Sequence, residues 1–382
     1  MMHKTTLLIL FLMSCLILHA QENGIQDKAT TAIYTAKAKK KLCAACCRPD
    51  GEAPAGVMTD HIHPKGQWMF SYSYMSMYMS GNKKGSNAIS DSEILYQSTR
   101  DPQYQLSPQS MRMDMHMLMA MYGITSKWTL MAMLNYVKMD MTMKMNNAGM
   151  LSMMMANPNM VMTGTDADFL MKMSTSGISD TKISALYSIK DRLKYRLVGS
   201  IGLSLPTGSC TQNGMTLNDT NGRLAYNMQL GTGSYALLPG LTYVYTANNW
   251  SAGAVASADV KLNNNAQGYK WGNIYDVSAW YSYKILSFLS LSVRADAYTQ
   301  GQITGYDAKL YPLTSSDPTA DIKNTGGTHA LVYGGFNFYK SDWMLSNFHL
   351  VAEYGLPVYE NLNGIQTAQK SNFIIGLQFM MN

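Results

Sequence analysis

A chain of 382 residues with 47% hydrophobic but only 14% charged residues can form one large domain, yet it is poor in charge beside soluble domains, which carry about 25%. Its longest apolar run, residues 5–18, is shorter than the roughly 17–25 residues of a spanning helix, which excludes a helical membrane protein. The formal charge of +6 gathers at Lys37, Lys39, Lys40 and Lys41, which read as a solvated tail; nucleic acid is not an expected partner of an exported chain.

The first elements in chain order concern export. Met1-Met2-His3-Lys4, the apolar run and His19-Ala20 form the layout of a secretory signal peptide over residues 1–20, cut after Ala20. A lipid-bearing Cys15 is the rival reading, but Leu16–Leu18 continue the apolar run past it. Residues 21–65 then read as a periplasmic N-terminal segment. It holds Cys43, Cys46 and Cys47, followed by Met58, Asp60, His61 and His63. Two readings stay open for it: a Cys43–Cys46 disulfide, or a cluster of soft and borderline metal ligands.

From residue 66 to 382 the polarity alternates with a period of two, the pattern of strands. In 68–79 one face is Trp68, Phe70, Tyr72, Tyr74, Ser76 and Tyr78, and the other is Met69, Ser71, Ser73, Met75, Met77 and Met79. Trp128 and Tyr136 bracket Leu130, Ala132 and Leu134. Eight residues of tilted strand rise about 20 Å, which suits aromatic girdles bounding an apolar band about 25 Å tall. Twelve strands are expected: 66–79, 110–122, 128–139, 178–190, 194–206, 233–246, 249–262, 271–285, 288–301, 327–339, 346–357 and 371–381. Long connections, such as 80–109, 140–177, 207–232 and 358–370, alternate with short turns. The expected fold is therefore an all-β, transmembrane, antiparallel up-and-down barrel in the outer membrane of a Gram-negative-type bacterium, with lipid around it. A soluble β-sandwich or β-helix also alternates, but without long connections on one side and short ones on the other. Lys182, Arg196, Asp259, Arg294, Asp296 and Glu353 fall on the face expected to line a narrow lumen.

The methionines are concentrated: 25 of 33 lie between Met58 and Met173. They step by two through Met75, Met77, Met79; through Met111, Met113, Met115, Met117, Met119, Met121; through Met131, Met133; and through Met139, Met141, Met143, Met145. Steps of two place each run on one strand face, and the aromatic face opposite turns these toward the lumen. Arg112, Asp114 and His116 then lie at the external rim. Met is an adaptable packing residue. A ladder of thioethers facing a lumen also suits a soft ion such as Cu(I). The candidate metal ligands are these methionines other than Met119 and Met121, with Cys43, Cys46, Cys47, His61, His63 and His116. Met150, Met153, Met154, Met155, Met160, Met162, Met171 and Met173 extend the ladder into the connection 140–177.

Several motifs resemble one known family. They are Cys46-Cys47-Arg48-Pro49-Asp50-Gly51, His61-Ile62-His63, Gly66-Gln67-Trp68-Met69, Met113-Asp114-Met115-His116-Met117, Leu203-Ser204-Leu205-Pro206-Thr207-Gly208, Leu237-Leu238-Pro239-Gly240 and Tyr354-Gly355-Leu356-Pro357-Val358-Tyr359. The chain resembles the transporter-like outer-membrane barrels related to the MetA-pathway of phenol degradation, from about Cys43 to the C-terminus. The resemblance implies a channel or transporter and leaves the cargo open. Soft metal ions through a Met-lined lumen are the first expectation, and small aromatic or apolar compounds the second. No nucleophile elbow, zinc-protease motif or phosphate loop is present, so an enzyme is not expected.

Overall fold

The structure is a computed structural model that describes residues 48–96, 104–156, 170–192, 194–341 and 348–381, all within one compact unit, Leu42–Asn382. The expected signal peptide and the three cysteines Cys43, Cys46 and Cys47 lie outside these residues.

In chain order the strands are β1 (Trp68–Gly85), β2 (Asn87–Ile89), β3 (Leu106–Gly123), β4 (Trp128–Met145), β5 (Leu170–Ile178), β6 (Thr181–Asp191), β7 (Tyr195–Leu205), β8 (Asn213–Gly214), β9 (Gly222–Arg223), β10 (Ala236–Thr246), β11 (Trp250–Lys261), β12 (Tyr269–Lys270), β13 (Ile274–Leu286), β14 (Leu289–Gln300), β15 (Thr304–Gly305), β16 (Gly327–Lys340) and β17 (Phe348–Met381). All wall pairings are antiparallel between chain neighbours, and β17 returns to pair with β1, which closes the ring. Closure leaves no open edge in lipid, where each unpaired backbone group costs several kcal/mol.

Two details set the strand number. β5 and β6 share one position: β5 pairs with the upper part of β4, and β6 with its lower part. β17 is 34 residues long. Its first part pairs with β16 and its last part with β1, with Gly364 at φ +61° between them, a left-handed value that favours glycine. The wall thus makes twelve passes. The connection expected at 358–370 is instead the top of this hairpin. The connection expected at 140–177 is shorter too, because β4 runs to Met145 and β5 starts at Leu170.

The alternation becomes two faces. Trp68, Phe70, Leu118, Leu130, Leu134, Leu241, Val277, Leu291 and Val293 point outward and are exposed, while Met69, Met121, Met131, Leu186 and Val198 point inward and are buried. Aromatic rings mark the turn end of the outer face, where Trp68 lies 4.6 Å from Tyr122, Trp128 4.7 Å from Tyr187, and Trp250 5.6 Å from Tyr281. This is the aromatic girdle of an outer-membrane barrel.

The opposite end is roofed by its connections. Tyr226, Tyr269, Ile303, Leu310, Leu313 and Ala320 form one buried cluster. Leu217, Leu224, Met228 and Leu230, from the connection between β7 and β10, pack on the Met-bearing wall.

Candidate functional site

The lumen is occupied by the chain's own N-terminal segment. Residues 48–65 enter beside the turn after β10, where Arg48 Nη2 donates to the Asn248 carbonyl at 2.9 Å. They leave beside the turn after β3, where Gly66 N donates to the Gly123 carbonyl at 2.8 Å. Inward-facing wall groups hold the segment between these points. Ser290 Oγ donates to the Pro49 carbonyl at 2.7 Å, Arg196 Nη2 to the Gly51 carbonyl at 2.9 Å, and Thr129 Oγ1 accepts from His63 N at 2.9 Å. Gly56 N donates to Glu353 Oε2 at 2.7 Å. The described part of the segment expected to be periplasmic, residues 48–65, is thus bonded to the inner face of the wall. The segment has no strand periodicity of its own, so its backbone groups are satisfied by side chains of the wall.

His61 and His63 sit in this plug, 3% and 0% exposed, with ring centroids 4.9 Å apart. His61 Nδ1 pairs with Asp60 Oδ1 at 2.8 Å, and His63 Nδ1 lies 3.2 Å from Gln67 Oε1. Burial pushes the Asp60 carboxyl up, but the charge and hydrogen bond of His61, the Arg196 guanidinium and the Ala53 N–H outweigh it and hold the group at about 2. Burial, aided by the His61 charge, lowers His63 to about 3. Among the described residues, no three of His, Cys, Asp and Glu are arranged to hold a metal ion. Both histidines take part in the hydrogen-bond network of the plug.

The lumen wall has two characters. From β14 to β17 it is charged and internally paired. Arg294 donates to Glu353 at 3.0 Å and to Asp296 at 3.0 Å, and its guanidinium stacks 3.8 Å from the centre of the Tyr333 ring. His349 Nε2 lies 3.4 Å from Glu52 of the plug. From β1 to β5 the wall is methionine. Met117, Met119, Met121, Met131, Met139, Met141, Met143 and Met145 are at most 8% exposed, and Met75, Met77, Met79, Met113, Met115 and Met133 are partly buried on the same face. Met171 and Met173 belong to this wall in β5, not to a connection. Met153 is buried against it from the helix Asn147–Ala156, Met150 is half-buried, and Met154 and Met155 are exposed. Met160 and Met162 lie outside the described residues.

His116, expected to join the methionines, is separated from them on the opposite face of β3. It faces outward between Tyr74 and Tyr136, with ring centroids at 5.2 and 6.3 Å, and Tyr72 Oη lies 2.7 Å from its Nδ1. The reason is parity: His116 is an even step on a strand whose odd steps are the inward methionines.

Between plug and wall lies a cavity of about 290 Å³. Val57, Met58, Met131, Leu238, Val255 and Ile274 give it an apolar side. Lys182, Asp259, Asp276 and Asp296, with Ser184 and Ser257, give it a polar one. Sequence reasoning assigned several of these charges to the lumen from strand parity. It could not reveal the cavity, because one side is built by Gly56–Thr59 of the plug.

A closed twelve-pass barrel with an aromatic girdle and an internal plug defines the class, a transporter-like outer-membrane β-barrel. The chain belongs to the family described as "Putative MetA-pathway of phenol degradation", which matches residues 116–347. No curated protein matches the sequence closely enough to support a comparison. Among solved structures, it is similar in fold to an outer membrane channel from Pseudomonas putida F1, with 14% identity and a TM-score of 0.53 over 86% of this chain and 100% of that one. The toluene transporter TbuX of Ralstonia pickettii aligns at 10% identity and a TM-score of 0.38, over 88% and 98% of the two chains.

Proposed function

We propose that this barrel admits small aromatic or apolar compounds across the outer membrane. The observation that carries this reading is the two-sided cavity of about 290 Å³ beside the plug. Its volume lies near the lower end of small-molecule sites, and its apolar side with a few polar groups suits a single-ring compound bearing a hydroxyl. The family's phenol-pathway description points to the same chemistry. Methionine on the neighbouring wall adds a polarizable, adaptable surface that contacts aromatic rings favourably. Bulk hydrophilic solutes are poor candidates, because the plug occupies part of the lumen and is bonded to the wall at both ends.

Uptake of labelled phenol by proteoliposomes tests the reading. The native protein should accelerate uptake over empty liposomes. Ser257→Trp, which places an indole in the cavity, should slow it at least fivefold while leaving the barrel folded. Equal uptake by the native protein, the Ser257→Trp variant and empty liposomes would sink the proposal.

A further inference from the structure

The methionine wall is ordered in rows as well as in columns. Met79 is opposite Met111, Met111 opposite Met141, and Met141 opposite Met173, so four thioethers lie side by side across β1, β3, β4 and β5. Met77, Met113 and Met139 form the next row toward the turn end. Directly opposed side chains on one sheet face have Cβ atoms about 4.5–5.5 Å apart. That spacing lets flexible thioethers of one row converge on a shared point.

Something polar already sits at that point. The short turn Tyr226–Met228 lowers Asn227 onto the row. Its Nδ2 lies 3.8 Å from Met111 Sδ and 3.7 Å from Met141 Sδ. Its Oδ1 is buried with no hydrogen-bond partner among the described residues. A thioether is a weak acceptor, and a buried amide oxygen without a donor costs free energy. Packing alone would be served as well by leucine and would not place an amide there. Turning the Asn227 amide over would exchange the two weak N–H···S contacts for an oxygen aimed at the sulfurs, and a cation held by the sulfurs and that oxygen would give it a partner.

We infer that Met79, Met111, Met141 and Met173, with Asn227, form a binding site for a soft monovalent cation, Cu(I) or Ag(I). Thioethers select soft ions. The ligands are all neutral, so a bound ion keeps its full charge in a buried setting. A single charge is far less costly there than a double one, which disfavours Zn²⁺ and Cu²⁺. Binding involves no electron transfer: the ion arrives and stays monovalent. A second row, Met380, Met69, Met121 and Met131, has the same sulfur count nearer the turn end, away from Asn227. It serves as an internal control.

The test uses full-length protein with every cysteine replaced by serine, titrated with Ag(I) and assayed for retained silver after desalting. The inference expects one tightly held Ag(I) per chain and no retained Zn²⁺. Met111→Leu/Met141→Leu should weaken retention at least tenfold, and Met69→Leu/Met121→Leu should leave it within twofold. Absence of retained silver in the cysteine-free protein, unchanged retention in the first double variant, or equal losses in both would overturn it. If the first double variant fails to fold, X-ray absorption of the silver-loaded cysteine-free protein decides. A shell of two or more sulfurs sustains the site, and a shell of nitrogen or oxygen alone removes it. None of these readouts depends on phenol uptake, so this inference and the transport reading can fail separately.

Discussion

The two sides of the lumen solve one problem in opposite ways. A twelve-pass ring encloses more space than its own side chains fill readily, and the plug takes up part of it. From β1 to β5 the remaining gap is closed by methionine against methionine and against Leu217, Leu224, Met228 and Leu230. From β14 to β17 it is closed by Arg294, Glu353, Asp296 and Tyr333, whose hydrogen bonds fix both their own positions and that of Gly56. The first side is held by area and shape and has many near-equivalent packings. The second is held by direction, and each member leaves an unpaired neighbour when removed. The plug therefore has a defined seat on the charged side and an adaptable backing on the methionine side.

The largest effect should come from the charged side. Glu353→Ala leaves Arg294 with Asp296 as its carboxylate partner and leaves Gly56 N without its acceptor. Breaking a buried pair by removing one partner costs about 3–5 kcal/mol. The variant should show earlier heat-induced loss of the folded gel band and faster proteolysis within 49–63. Acid should act on the same segment. His63 stays neutral in the plug down to about pH 3, whereas its ordinary value is 6.5. Its contribution to plug seating is complete above pH 6.5 and is lost as pH falls toward 3, by roughly 5 kcal/mol at most. Asp60 adds a further loss between its ordinary 3.8 and about 2. Proteolysis of the plug should accelerate across the upper window, and His63→Gln should flatten that window only. The methionine side should respond far less. Met121→Leu, at a fully buried position, should cost below about 1.5 kcal/mol because volume is nearly conserved. A cost as large as that of Glu353→Ala would erase the contrast between the two sides.

The same contrast governs what could be read from residue order. The methionine wall was legible because parity alone assigns it: in 111–121 every odd position is Met, and the pairing of Met113 with both Met77 and Met139 follows once neighbouring strands alternate. The inward position of Arg196, Arg294 and Glu353 was legible for the same reason. Their function as plug anchors was not, since Arg196 meets Gly51 across 145 positions and Ser290 meets Pro49 across 241. No local pattern encodes such contacts. The hairpin at the top of β17 was misread as a connection because strands that rise above the bilayer lose their apolar face. Tyr359, Glu360, Asn361 and Asn363 then look like loop residues. The row carrying Asn227 was hidden as well, because the amide arrives from a connection whose path is set by packing.

The smallest expected effect lies outside the lumen, and it isolates the inner wall as the seat of any sulfur chemistry. His116 faces the girdle, held by the Tyr72 hydroxyl at 2.7 Å and flanked by Tyr74 and Tyr136. His116→Phe keeps an aromatic ring at that level and gives up one exposed hydrogen bond, which contributes about 1 kcal/mol or less. Heat-induced unfolding should shift by at most a few degrees. Silver retention and phenol uptake should both stay within twofold of the native protein, since no inward group touches this ring. A marked drop in silver retention in His116→Phe would instead move the ion to the outer face, and the parity that divides the wall into a lipid side and a sulfur side would no longer explain the protein's chemistry.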